Sequence, residues 1–164
     1  MNNNDILRRV RYALKIKDTE MITIFSLANI SMKLETLLNL LKKEEEEDFL
    51  NCEDSILSGF LNGLILHRRG PRESEDGKAA PKSAAPAESM NNNLVMKKLR
   101  IAMEFKETEM LETLALAGVT ISKGELTALF RKRGQRNYKN CGDQLLRNFI
   151  KGLTMRLRGG PNPS

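Results

Sequence analysis

Set against itself at an offset of 89 positions, the chain is written twice: residues 1–70 align with residues 90–159 without a gap. Both copies open on Met-Asn-Asn-Asn, and roughly a third of the paired positions are identical, well above chance for an ungapped pairing. Arg11 pairs with Arg100, Asn51-Cys52 with Asn140-Cys141, and Asp54 with Asp143. Phe60-x-x-Gly63-Leu64 pairs with Phe149-x-x-Gly152-Leu153. A duplication restricts the fold more than any other feature here, because whatever one segment of ~70 residues becomes, the other becomes too. Between the copies lies PRESEDGKAAPKSAAPAES, with Pro71, Pro81 and Pro86 and no large apolar residue. Such a segment cannot bury enough surface to offset the cost of ordering it. The expected organisation is a first repeat at 1–70, a flexible linker at 71–89, a second repeat at 90–159 and a disordered tail at 160–164.

Each repeat reads as four helices. Ile6, Leu7, Val10, Ala13 and Leu14 recur at helical spacing, and Val95, Met96, Leu99, Ala102 and Met103 repeat the stripe, with an asparagine of the Asn run as the expected cap. A second helix follows from Asp18 or Glu107 and carries Met21, Ile24, Phe25 and Ala28, or Met110, Leu114 and Ala117, where Thr113 weakens the stripe. Gly118 ends it in one copy, and Asn29 holds that place in the other. Ser122-x-x-Glu125 has the spacing of a capping box before Leu126, Leu129 and Phe130. The first copy has Lys33 at the position of Ser122, so its third helix has the weaker signal. Asn51 and Asp54, like Asn140 and Asp143, are expected to cap a fourth helix closed by Gly70 or Gly159. Gly63 and Gly152 fall inside that helix, where glycine costs about 1 kcal/mol relative to alanine. Close approach of another helix is the expected reason, with a ligand-cleft floor the alternative. Seventy residues make a marginal core, so the two units are expected to pack on each other.

These residues resemble a known group. MNNNDILRRVRYAL, then Lys17-Asp18-Thr19-Glu20-Met21, then the run from Phe60 to Gly70 with its Phe-Leu-x-Gly-Leu-Ile core, are similar to the YehS-like family of bacterial proteins, built from a tandem domain of unknown function. The resemblance covers both repeats and implies a small helical cytoplasmic protein. It implies no activity and transfers no catalytic residue. The first copy, with Asn29-Ile30-Ser31, departs from the glycine turn that the second keeps as Ala117-Gly118-Val119.

The repeats differ most in charge. Residues 1–70 hold 10 Lys and Arg against 11 Asp and Glu, whereas residues 90–164 hold 14 against 6, so the net +6 of the chain resides in the second copy. Where the first copy reads Glu44-Glu45-Glu46-Glu47-Asp48, the second reads Arg133-Gly134-Gln135-Arg136-Asn137, preceded by Arg131-Lys132 and followed by Tyr138-Lys139. Three readings compete. Both loops are plain solvated surface, or Arg131, Lys132, Arg133, Arg136, Tyr138 and Lys139 contact nucleic acid or an acidic partner, or the two loops pair within or between chains. A helix-turn-helix over residues 109–126 fits poorly, because its spacing is a residue too long and any helical bundle generates such pairs.

Chemistry of other kinds has little to work with. The chain has no phosphate loop, no Cys/His cluster and one histidine, His67, whose counterpart is Arg156. His67 is expected to favour the C-terminus of its helix. Cys52 and Cys141 are expected to be reduced, buried and structural, although a helix start could stabilise a thiolate. Glu20 and Glu109 read as capping residues. The polar residues shared by both copies are the sharper candidates: Asn2, Asn3, Asn4, Lys17, Arg69, Arg11 and Arg100, Asn51 and Asn140, Asp54 and Asp143. Arg11 and Arg100 are expected to reach a carboxylate such as Asp54 or Asp143. With no apolar run near the ~20 residues of a membrane span and a polar start, the expected location is the cytoplasm. The sequence therefore predicts an all-α protein of two homologous four-helix units joined by a disordered linker. Its expected role is non-catalytic binding without metal, cofactor or small-molecule substrate, its partner an unknown protein or itself, with nucleic acid the alternative.

Overall fold

The computed structural model describes residues 1–70, 90–132 and 134–158, which form two compact units. Among the described residues the regular structure is helix alone. The first repeat holds α1 (Asn3–Leu14), α2 (Asp18–Leu27), α3 (Leu34–Leu40) and α4 (Asp54–Arg69), and the second holds α5 (Asn92–Met103), α6 (Glu107–Leu116), α7 (Lys123–Leu129) and α8 (Asp143–Arg158). Each helix has the length of its counterpart 89 positions away, so the duplication in sequence is a duplication in structure. The expectations for the linker 71–89, the tail 160–164, Gly159 as a helix stop and Arg133 lie outside the described residues.

Local chemistry explains most boundaries. The first asparagine of the Asn run caps the first helix: Asn2 Oδ1 accepts the Asp5 N–H at 2.8 Å, and Asn91 Oδ1 accepts the Leu94 N–H at 2.8 Å. The second helix is entered by a backward-reaching glutamate, Glu20 taking the Lys17 N–H at 3.0 Å and Glu109 the Lys106 N–H at 2.5 Å. Asn29 then turns left-handed at φ 65°, matching Gly118 at φ 83°. A short polar side chain is the commonest non-glycine residue to tolerate that geometry, so the turns agree although the residues differ.

The third helix shows where local signal and outcome part. Ser122 and Glu125 form the reciprocal box, Ser122 Oγ taking the Glu125 N–H at 3.0 Å and Glu125 Oε1 the Ser122 N–H at 2.9 Å. Lys33 makes no side-chain cap bond, yet α3 matches α7 in length because Leu37 and Leu40 are buried as Leu126 and Leu129 are. At the fourth helix the capping expectation is corrected. The N-cap of α4 is Glu53, without a side-chain cap bond, and α8 opens at Asp143, so Asn51 and Asn140 lie outside the helix starts and are exposed. Gly70 closes α4 at φ 79°, its N–H donating to Leu66 O at 2.8 Å.

Each core is centred where the second helix crosses the fourth. Phe25 and Phe60 meet there with ring centroids 5.6 Å apart, both fully buried. A Cβ on Gly63 would lie 2.0 Å from Ile24 O, and one on Gly152 would lie 2.0 Å from Thr113 O. The place of the side chain is thus taken by the backbone of the neighbouring helix, which answers the question of why glycine is tolerated and removes the ligand-cleft alternative. Thr113, at the position of Ile24, is completely buried, and its hydroxyl donates to Glu109 O at 2.7 Å, so it adds no unsatisfied polar group.

Candidate interaction surface

The polar residues shared by the repeats are mostly consumed inside the fold. Asn4 is fully buried, and its side-chain amide donates to Leu40 O at 2.8 Å and Leu50 O at 2.9 Å while its oxygen accepts the Cys52 N–H at 3.0 Å. Asn93 makes the same three bonds, to Leu129 O, Lys139 O and the Cys141 N–H, each at 2.9 Å. One side chain on the first helix thereby ties down the end of the third helix and both sides of the loop that follows it. Asn3 continues this staple, donating to Cys52 O at 3.0 Å and Asp54 Oδ1 at 2.8 Å, and Asn92 bonds Cys141 O at 3.1 Å and Asp143 Oδ1 at 2.8 Å. Three consecutive asparagines have three tasks, and sequence reading found only the cap. The remaining signal was that all three recur.

Arg11 does not reach Asp54. Its Nε donates to Ile16 O at 3.0 Å and its other end pairs with Asp18, so it closes the α1–α2 turn, while the carboxylate of Asp54 is engaged by Asn3. Arg100 likewise bonds Phe105 O at 3.1 Å, and its guanidinium stacks 5.0 Å above the ring of Phe130. Neither Asp54 nor Asp143 is the carboxylate that a first-helix arginine finds, because each is held by an asparagine eight residues before that arginine. Cys52 and Cys141 are buried, and desolvation first, then nearby carboxylates, pushes their thiols up to about 12 and about 11. They are thiols and not activated thiolates, which decides between the two readings of these residues. His67, in the last turn of α4, stands 4.0 Å from Glu20, and its counterpart Arg156 stands 3.4 Å from Glu112 and 5.0 Å over Phe105. Among the described residues no three His, Cys, Asp or Glu side chains are grouped as a metal site requires.

What remains for recognition is the loop between the third and fourth helices. Its hydrogen-bonded frame recurs in both repeats, although Gly134 turns at φ 91° where its counterpart Glu45 keeps a negative φ. Leu50 N–H donates to Asn39 O at 3.1 Å and Lys139 N–H to Ala128 O at 3.0 Å. Glu46 takes the Lys43 N–H at 3.0 Å, Gln135 takes the Lys132 N–H at 2.8 Å, and Asp48 and Asn137 both turn left-handed at φ 63° and 65°. On this common frame the side chains carry opposite charge. Residues 44–48 are five exposed acids, whereas Arg131, Lys132, Arg136 and Lys139 are four exposed bases brought together by the same turn. Tyr138 is half-buried in the place of Phe49.

A second difference escaped sequence reading because helical periodicity does not report exposure. Leu34 and Leu38, one turn apart on α3, are 49% and 43% exposed, and Leu50 beside the end of that helix is 41% exposed. Their counterparts are Lys123, Thr127 and Lys139. The corner that bears acid in the first repeat also bears leucine, and the corner that bears base in the second does not. The comparison of the two copies position by position holds the available signal for this.

Comparison with known proteins places both repeats in one family. The family described as "Protein of unknown function (DUF1456)" matches twice, at residues 3–70 and 92–159. The uncharacterized protein YehS of Escherichia coli (strain K12) is 43% identical over 156 residues, covering 95% of this chain and 96% of that protein. No solved structure matches. Among the described residues no helix is long and apolar enough to cross a membrane.

Proposed function

The chain belongs to the DUF1456 family, of YehS-like proteins that carry this helical domain in tandem, and we propose that it works by binding and not by catalysis, as a small cytoplasmic interaction module. The observation that carries the reading is the loop pair: one backbone frame, kept by the same hydrogen bonds, presents five acids in one repeat and four bases in the other. The shared asparagines Asn3, Asn4, Asn92 and Asn93 serve the frame, and the diverged charges of the loop face solvent. Two free, buried cysteines suit the reducing cytoplasm. Capture of partners from bacterial lysate, with and without nuclease, tests this. Protein partners that survive nuclease support the proposal.

A second reading is favoured by the excess charge of residues 90–164 and by Arg131, Lys132, Arg136 and Lys139 lying together on an exposed turn. Nucleic acid would be the partner there. Phosphate contacts release condensed counterions, so log affinity should fall against log salt with a slope of about −0.9 per contact on duplex and about −0.7 on single strands. Replacing Arg131, Lys132 and Arg136 with Glu should flatten the slope as well as weaken binding in fluorescence anisotropy. Loss of every captured partner on nuclease treatment points the same way, and absence of binding at about 50 mM salt would sink it.

A further inference from the structure

We propose that the α3 corner of the first repeat is a docking surface for the α7 corner of a second copy of this chain. The inference rests on the binding reading and names its partner. Scattered exposed leucines are ordinary on a protein surface. Leu34, Leu38 and Leu50 are not scattered: two lie one helical turn apart, and the third is held at the end of the same helix by the Leu50 N–H to Asn39 O bond. The acidic turn, residues 44–48, follows directly from that helix. A ligand for this corner needs a low-relief surface to cover the leucines and a cluster of bases to meet the acids.

The α7 corner has both. Its exposed residues include Lys123, Gly124 and Thr127, and a Cβ built on Gly124 would have no neighbour nearer than Ser122 Oγ at 3.8 Å, so the surface there is open. Lysine and arginine stems cover apolar surface while their charged ends stay in water, which lets Lys123 and Lys139 lie over leucine and Arg131, Lys132 and Arg136 reach the acids. Every exposed position that is Leu or Glu on one corner has a Lys, Thr, Arg, Gly or Gln counterpart on the other. Leucine thus accompanies the acids on one corner, and lysine and threonine take its place beside the bases on the other. Charge complementarity between exposed groups sets register and encounter more than it holds a complex together, so the leucines supply the grip and the loops the orientation.

Sedimentation of the full chain tests this, across about 10 µM to about 1 mM protein, where weak association registers. One variant carries Glu44→Lys, Glu45→Lys and Glu47→Lys, sparing Glu46 because it caps the turn. The other carries Arg131→Glu, Lys132→Glu and Arg136→Glu. The parent should self-associate, and each variant alone should lose roughly tenfold or more in apparent affinity. An equimolar mixture of the two should associate again, since each then offers what the other lacks. Leu34→Lys with Leu38→Thr, the residues the second repeat itself carries, should also weaken association while leaving the far-ultraviolet circular dichroism unchanged. A parent that stays monomeric across the range overturns the inference, as does association that ignores both charge reversals or a mixture that remains monomeric. Lysate capture judges the broader binding reading separately, so failure here is distinguishable from failure there.

Discussion

Asn4 and Asn93 are satisfied in the one orientation their neighbours allow. Two carbonyl oxygens face the amide nitrogen and one backbone N–H faces the amide oxygen, so the side chain matches its site as donor, donor and acceptor. Among the described residues no buried side-chain polar atom lacks a partner. Removing this amide strands three backbone groups, and each buried unsatisfied group costs about 1–3 kcal/mol. Asn4→Ala should therefore lower unfolding free energy by at least about 3 kcal/mol, read from the urea midpoint. Asn4→Asp should do no better, because a carboxylate accepts from Cys52 but cannot donate to Leu40 and Leu50. If Asn4→Asp folds as stably as the parent at neutral pH, the donor role assigned to the amide nitrogen is wrong.

At the scale of the element, the fourth helix depends on a missing methyl group. Alanine is the better helix former by about 1 kcal/mol, so on propensity alone Gly63→Ala and Gly152→Ala would stabilise. Packing reverses the sign. The added Cβ would meet a main-chain carbonyl at 2.0 Å, and backbone cannot rotate out of the way as a side chain does. Overpacking of this kind costs about 1–3 kcal/mol, so both substitutions should destabilise on thermal melting. Gly59 offers the contrast: there the group in the way is the side-chain tip of Ile30, which can turn aside. Gly59→Ala is expected to cost less than Gly63→Ala, and the reverse order would refute the close helix approach as the reason for glycine.

For the whole molecule, duplication means that each repeat carries its own helices, its own asparagine staple and its own second-to-fourth helix crossing. A domain of this size buries only about 60% of the surface its unfolded chain exposes. Residues 1–70 produced alone should accordingly be helical by circular dichroism and unfold cooperatively in urea, with low stability. A non-cooperative transition in that fragment would show that a single repeat is not a folding unit.

The sequence by itself determined the duplication, the four-helix pattern, most helix ends and the buried stripe. These follow from periodicity and from residues whose chemistry acts within a turn, such as the Ser122–Glu125 box, Gly118 and Gly70. Tertiary structure decided what lies beyond that reach. Arg11 closes its own turn through Ile16 and Asp18 while Asn3, 51 residues before Asp54, takes the carboxylate expected for it. Asn4 spends its side chain on partners 36 to 48 residues away, and α3 forms without the capping box of α7 because Leu37 and Leu40 are buried. Exposure of Leu34, Leu38 and Leu50 was beyond sequence for the same reason: periodicity places a leucine on a face, and only packing says whether another element covers that face.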